Sequence, residues 1–97
     1  VDWNDCQIDG RVPDVMNIYP LQKKFESFNF HVIECDGNNT AELLAAFDEA
    51  KATKGKPSCI IARTYMGNGV SFMQDKYEWH GKPPSEDQAK VALEELG

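Results

Sequence analysis

The sequence predicts an α/β fold: part of a parallel-sheet architecture in which helices and strands alternate. Three observations carry that prediction. Two compact runs read as strands: HVIEC, which is β-branched, and SCIIART, whose nearly continuous apolar pattern is that of a central strand covered on both faces. Segments with helical periodicity precede each of them, and Gly, Pro, Asn and Asp residues punctuate the joins. The resulting order of strand end, helix, strand, helix, strand, long loop and helix implies parallel pairing through crossover connections.

The opening stretch VDWNDCQIDG passes from apolar residues into Asn4, Asp5, Asp9 and Gly10, the pattern of a strand end entering a polar turn. PLQKKFESFNF then places Leu21, Phe25 and Phe28 on one helical face and turns Lys23, Lys24 and Glu26 away. HVIEC gives the first full strand, closed by a DGNN turn in which Asn39 or Thr40 can cap the next helix. That helix, within TAELLAAFDEAKATKG, is expected to bury Leu43, Leu44, Phe47 and Ala50, with Gly55 and Pro57 stopping it. SCIIART follows as a central strand. Tyr65 to Pro84 has no clean period and reads as a long loop, a feature that is often functional inside compact domains. The last helix starts at a Ser85/Gln88 capping box and is expected to bury Ala89, Ala92, Leu93 and Leu96.

At 97 residues the chain allows at most one domain, or part of one. A net charge of -6 without clustered Lys and Arg argues against nucleic acid as a partner. Cys6, Cys35 and Cys59 are odd in number and widely spaced, which excludes a disulfide framework or zinc pattern and suggests a reducing, cytoplasmic setting. Cys35 and Cys59 lie in apolar runs and read as small buried hydrophobes. No stretch has the apolar length of a membrane span and no leader pattern is present, so no membrane partner is expected.

Ligands of open parallel sheets bind beyond the carboxyl ends of the strands, which directs attention to the turn after Trp3, the DGNN turn and the loop after Thr64. Hard divalent cations take oxygen ligands, and the Asn4 side chain with the Cys6 main-chain carbonyl can supply two. Capping of the turn by Asn4 and Asp5 is the plainer reading of the same residues. His80, in EWHGKPP, can exchange a proton or a hydrogen bond with a ligand if the loop holds it over a pocket; a merely exposed histidine is the alternative. His31 reads as a structural residue at a sheet end. The GNG of Gly67–Gly69 lacks the third glycine of a dinucleotide fingerprint and reads as flexible loop.

Taken together, VDWNDCQIDG, FHVIECDG, KPSCIIARTYMGNGVSFM and EWHGKPPSEDQAKVALEELG resemble transketolase, from one end of the chain to the other. The likeness is to the later part of its thiamine-diphosphate-binding domain, nearest to the split form in which that domain is a separate N-terminal subunit. On this resemblance residues 1–97 form the C-terminal portion of such a domain, without the upstream G-D-G motif. Asn4 and the Cys6 carbonyl match metal ligands (Mg2+ or Ca2+), and Ile8 matches an apolar position against the thiamine rings. His80 matches a histidine near cofactor and substrate, a catalytic position.

The implied activity is transfer of a two-carbon ketol unit between sugar phosphates in carbohydrate metabolism, including the pentose phosphate pathway, by a cytoplasmic dimer or other oligomer. The cofactor does the difficult chemistry while the protein positions and polarises. The catalytic glutamate of the family belongs to a pyrimidine-binding domain or C-terminal subunit, which is the implied partner. Without the G-D-G aspartate the metal would lack ligands, so this chain alone is expected to be inactive. Gly37, Asn38 and Asn39 replace the family's frequent G-H-D, and Met66 replaces a lysine. Deoxyxylulose-phosphate synthase shares the Asn turn and a histidine loop, but QIDG and the C-terminal helix favour transketolase. A non-catalytic α/β module that pairs through open sheet edges is the reading from another class.

Overall fold

A computed structural model describes residues 1–97 and separates them into two compact units, Val1–Trp3 with Ile18–Thr64, and Asn4–Asn17 with Tyr65–Gly97. No helix is long and apolar enough to cross a membrane.

The first unit is a three-stranded parallel sheet in the order β1 (Asp2–Trp3), β5 (Ser58–Arg63), β4 (His31–Asp36). β5 is central, as its continuous apolar run requires: Ile61 is 1% exposed and Cys59 is buried. Its register sets His31 opposite Ser58 and Asp36 opposite Arg63 on one side, and Asp2 opposite Ala62 on the other. Burial of a side chain such as Ile61 contributes about 1.5–3 kcal/mol.

Helix α2 (Leu21–Ser27) leads into β4, with Phe25 and Phe30 meeting edge to face at 5.5 Å. Leu21 and Phe25 are half-buried as the periodicity predicts, but Phe28 is 77% exposed. The helix ends at Ser27 and Phe28 is its C-cap, so it leaves the helical face. Asn29, at φ 65°, turns the chain towards β4.

Helix α3 (Thr40–Ala52) is capped by Asn39, whose side chain accepts from the amides of Ala41 and Glu42. Two polar ties fasten it to β4: the Asp36 amide donates to Glu42 Oε2 at 2.7 Å, and His31 Nε2 meets Glu49 Oε1 at 2.7 Å. His31 is therefore structural, as its place at the sheet end implies. The buried stripe is Leu43, Ala46 and Ala50, not one containing Leu44 and Phe47, which stay exposed. Side-chain size misled the pattern reading: the small Ala46 lets the helix backbone approach the sheet, and the larger neighbours flank the contact.

The second unit contains a hairpin, β2 (Cys6–Gln7) with β3 (Gly10–Arg11), joined by the two-residue loop Ile8–Asp9. It runs into the short helix α1 (Val12–Met16), which carries a proline in its first turn. The opening turn is thus more structured than its composition predicts. Tyr65 to Pro84 is likewise a built loop, with turns around Val70 and a 3-10 turn over Tyr77–Trp79. Val70 is buried, and the Asp75 amide returns to the Met66 carbonyl at 2.8 Å. Gly67, at φ 64°, leaves no room for a side chain, since a Cβ would lie 2.6 Å from Met73 Cβ. The GNG segment is a tight turn instead of a slack loop.

Helix α4 (Glu86–Leu96) has the expected capping box, with Ser85 Oγ accepting from the Gln88 amide and Gln88 Oε1 from the Ser85 amide. Gln88, Ala89 and Ala92 are half-buried, whereas Leu93 and Leu96 are exposed, contrary to the periodicity reading. Glu95, one turn beyond Ala92, receives the Ser71 amide and hydroxyl at 2.6 Å each, so a polar clamp anchors the end of the helix.

Candidate functional site

Asn4, Cys6, Ile8 and His80 all fall in the second unit. The chain leaves β1 at Trp3 directly into Asn4, whose Oδ1 accepts from the Cys6 amide at 2.9 Å. Between them Asp5 has φ 61°, a left-handed conformation that Asp tolerates and most residues resist. The plainer reading of Asn4 as the residue that caps this turn is thus realised.

The direction of the Cys6 carbonyl follows from the hairpin. The Val12 amide donates to the Asp5 carbonyl at 3.0 Å, and hydrogen-bonded pairs alternate along an antiparallel ladder. Residues 5 and 12, then 7 and 10, form those pairs. The Cys6 and Arg11 pair lies between them, so the Cys6 amide and carbonyl point away from β3. The amide meets Asn4, in keeping with this. The Cys6 thiol is free and the residue is buried.

Ile8 sits at the hairpin tip and is 67% exposed, an apolar side chain offered outwards by a two-residue loop. His80 is the C-cap of the 3-10 turn, its amide donating to the Tyr77 carbonyl at 2.9 Å and its side chain exposed. The preceding residue is clamped: Trp79 Nε1 donates to the Phe72 carbonyl at 2.9 Å, the two rings lie 5.3 Å apart, and Lys82 Nζ stands 4.8 Å over the indole. His80 therefore emerges from a fixed turn.

The residue that sequence reasoning missed is Arg11. Its guanidinium donates to Asp75 Oδ1 at 2.6 Å and Oδ2 at 3.2 Å, to Cys6 Sγ at 3.2 Å, and lies 3.6 Å from Asp5 Oδ2. These bonds, led by the one to Asp75, raise its pKa further above its ordinary value and keep it cationic. The Asp9–Gly10 dipeptide is a hairpin signal that could have revealed β2 and β3. Nothing local to Arg11 foretells a carboxylate 64 positions away.

A divalent cation fits this turn as a partial site. Asn4 Oδ1 and the Cys6 carbonyl are neutral oxygens of the type that hard cations take, while a cation such as Mg2+ needs about six ligands. No group of three or more His, Cys, Asp or Glu side chains suited to a metal occurs in the structure, so this chain's side chains alone do not form a complete site.

The family model for the thiamine diphosphate binding domain of transketolase matches residues 1–97, and the chain belongs to that family. It is 39% identical to a 6-deoxy-6-sulfo-D-fructose transketolase subunit of a Clostridium species, over 98% of this chain and 34% of that protein. It is 41% identical to human transketolase over 84% of this chain and 12% of that protein. Among solved structures, transketolase of Campylobacter jejuni superposes with a TM-score of 0.90 at 31% identity, covering 99% of this chain and 15% of the other. The chain thus spans about a third or less of the length of these relatives.

Proposed function

We propose that residues 1–97 supply the C-terminal portion of a thiamine-diphosphate-binding domain in a transketolase, which transfers a two-carbon ketol unit between sugar phosphates. The observation that carries this reading is the Asn4–Cys6 turn: around a left-handed Asp5, one short turn carries both a carboxamide oxygen and a carbonyl turned away from β3, in a chain of the transketolase family. Asn4 Oδ1 and the Cys6 carbonyl would hold Mg2+ or Ca2+, which neutralises the diphosphate of the cofactor.

Ile8, exposed at the hairpin tip, would offer an apolar surface to the thiamine rings and shield them from water. The bound cofactor supplies the electron sink for carbon–carbon cleavage. His80 is the catalytic residue of this chain, donating a hydrogen bond from its imidazole to a phosphate or hydroxyl oxygen of the sugar. Partners are supported by relatives named as separate transketolase subunits. The family's G-D-G segment and a pyrimidine-binding domain with the activating glutamate complete the site in a cytoplasmic oligomer.

Isothermal titration of thiamine diphosphate with Mg2+ tests this reading, first into the chain alone and then into a mixture with the G-D-G-bearing half and the pyrimidine-binding subunit. Binding only in the mixture, abolished by Asn4→Ala, is the expected result. Tight binding by the chain alone would overturn the shared-ligand arrangement, and wild-type affinity in Asn4→Ala would remove Asn4 from the metal site.

A further inference from the structure

We infer that Arg11 is the positioning residue of this cofactor half-site, an inference that rests on the function proposed above. The hairpin that carries Asn4, Cys6 and Ile8 pairs only four residues, and a ribbon of that size is not stable by itself in water. It needs an anchor, and Arg11 is placed to be one. Its bidentate grip on Asp75 fixes β3 to the segment that enters the 3-10 turn, two residues before Tyr77 and five before His80. The same NH1 donates to Cys6 Sγ across the hairpin, and NH2 faces the Asp5 carboxylate at 3.6 Å.

Both carboxylates belong to residues with left-handed backbones, Asp5 at φ 61° and Asp75 at φ 59°. Such conformations persist where the surroundings hold them, and here a single guanidinium meets both side chains. One planar cation therefore ties together the turn that presents Asn4 and Cys6, the strand partner of that turn, and the loop that ends in His80. A lysine can keep the charge but cannot reproduce the fork.

The Arg11 and Asp75 side chains are 34% and 37% exposed, so solvent screens the pair and its share of global stability is small. Its contribution is to geometry: the contacts of Arg11 are to Cys6, Asp5 and Asp75, so it acts through the Asn4–Cys6 turn and the His80 loop. Residues that orient metal ligands in this way typically change metal affinity by about 10–100-fold when replaced.

The test compares Arg11→Met, Arg11→Lys and Asp75→Asn with the wild-type chain, Asn being able to keep the left-handed backbone at position 75. Two readouts are taken: hydrogen exchange of the Cys6 amide by NMR in the chain itself, and affinity for thiamine diphosphate with Mg2+ in the mixture that supports wild-type binding. Arg11→Met is expected to speed Cys6 exchange about tenfold or more while the amides of α3 and β5 keep their protection. It is expected to weaken cofactor binding by about 10–100-fold, with Arg11→Lys in between. Unchanged Cys6 exchange, or faster exchange with unchanged cofactor affinity, would overturn the inference. So would loss of protection throughout α3 and β5, which would mark Arg11 as a general stability residue. If the wild-type mixture binds no cofactor, the proposed function fails, and the Cys6 exchange still decides whether Arg11 holds the turn.

Discussion

Replacing Gly37 by alanine should destabilise the parallel sheet, and the structure sets the size of the effect. A Cβ at this position would lie 2.6 Å from Thr64 Cγ2, 2.9 Å from Ala62 Cβ and 3.1 Å from the Arg63 carbonyl oxygen. The Gly37 amide also donates to that carbonyl at 2.6 Å, so the turn after β4 is pressed against the end of β5 and cannot swing away without losing the bond. Overpacking of this kind costs about 1–3 kcal/mol, and a weakened hydrogen bond adds about 1 kcal/mol. A total of about 2–4 kcal/mol lowers the Tm of a domain of this size by about 8–30 °C. Thermal and urea unfolding followed by circular dichroism measure it. The companion change Thr64→Ser removes the nearest clashing methyl and keeps the hydroxyl that donates to Asp2. In the double variant part of the loss should return, because the contacts to Ala62 and Arg63 remain. A Gly37→Ala protein within about 0.5 kcal/mol of wild type, or no coupling to Thr64→Ser, would refute the close-approach argument.

Two further outcomes follow from ionisable groups. Hydrogen bonds from the Ser71 hydroxyl and amide hold the Glu95 carboxyl below its ordinary pKa of 4.5, so the stability it gives to the end of α4 is present above that value. It is lost as pH falls through the lower folded value. An NMR titration of the Glu95 side chain should show that depressed midpoint, with Ser71→Ala moving it back up, and an unchanged midpoint in the variant would count against the clamp. The Cys35 thiol is raised above its ordinary 9.0, first by burial and then by the charges of Glu42 and Asp36. Cys35 in a protein with Cys6 and Cys59 replaced by alanine should therefore alkylate with iodoacetamide more slowly at neutral pH than a free cysteine peptide; matching rates from pH 7 to 10 would exclude the shift.

Much of the architecture is legible in local sequence because its causes are local. The Asn39 and Ser85 caps and the nearly continuous apolar run of SCIIART each act within a few residues, while α3 ends at Ala52 with Thr53 as its C-cap, just ahead of the Gly55 and Pro57 expected to stop it. Periodicity alone erred on which side chains the helices bury. Leu44, Phe47, Leu93 and Leu96 stay exposed because the contacts are made through Ala46, Ala89 and Ala92 and through the Ser71 to Glu95 clamp. Those choices depend on what the rest of the chain presents to each helix.

The sequence by itself determined the α/β class and the parallel pairing of the strands, and it singled out Asn4, Cys6 and His80, with Ile8 added by family resemblance, as candidates. Tertiary structure alone decided how those residues are held. The outward direction of the Cys6 carbonyl comes from the phase of a hairpin ladder, and the seating of the His80 turn comes from Phe72, Trp79 and Lys82. The bond from Arg11 to Asp75 joins residues 64 positions apart. Propensity and capping act over a few bonds and can be read along a chain, whereas a salt bridge or a ladder phase exists only once distant segments have met.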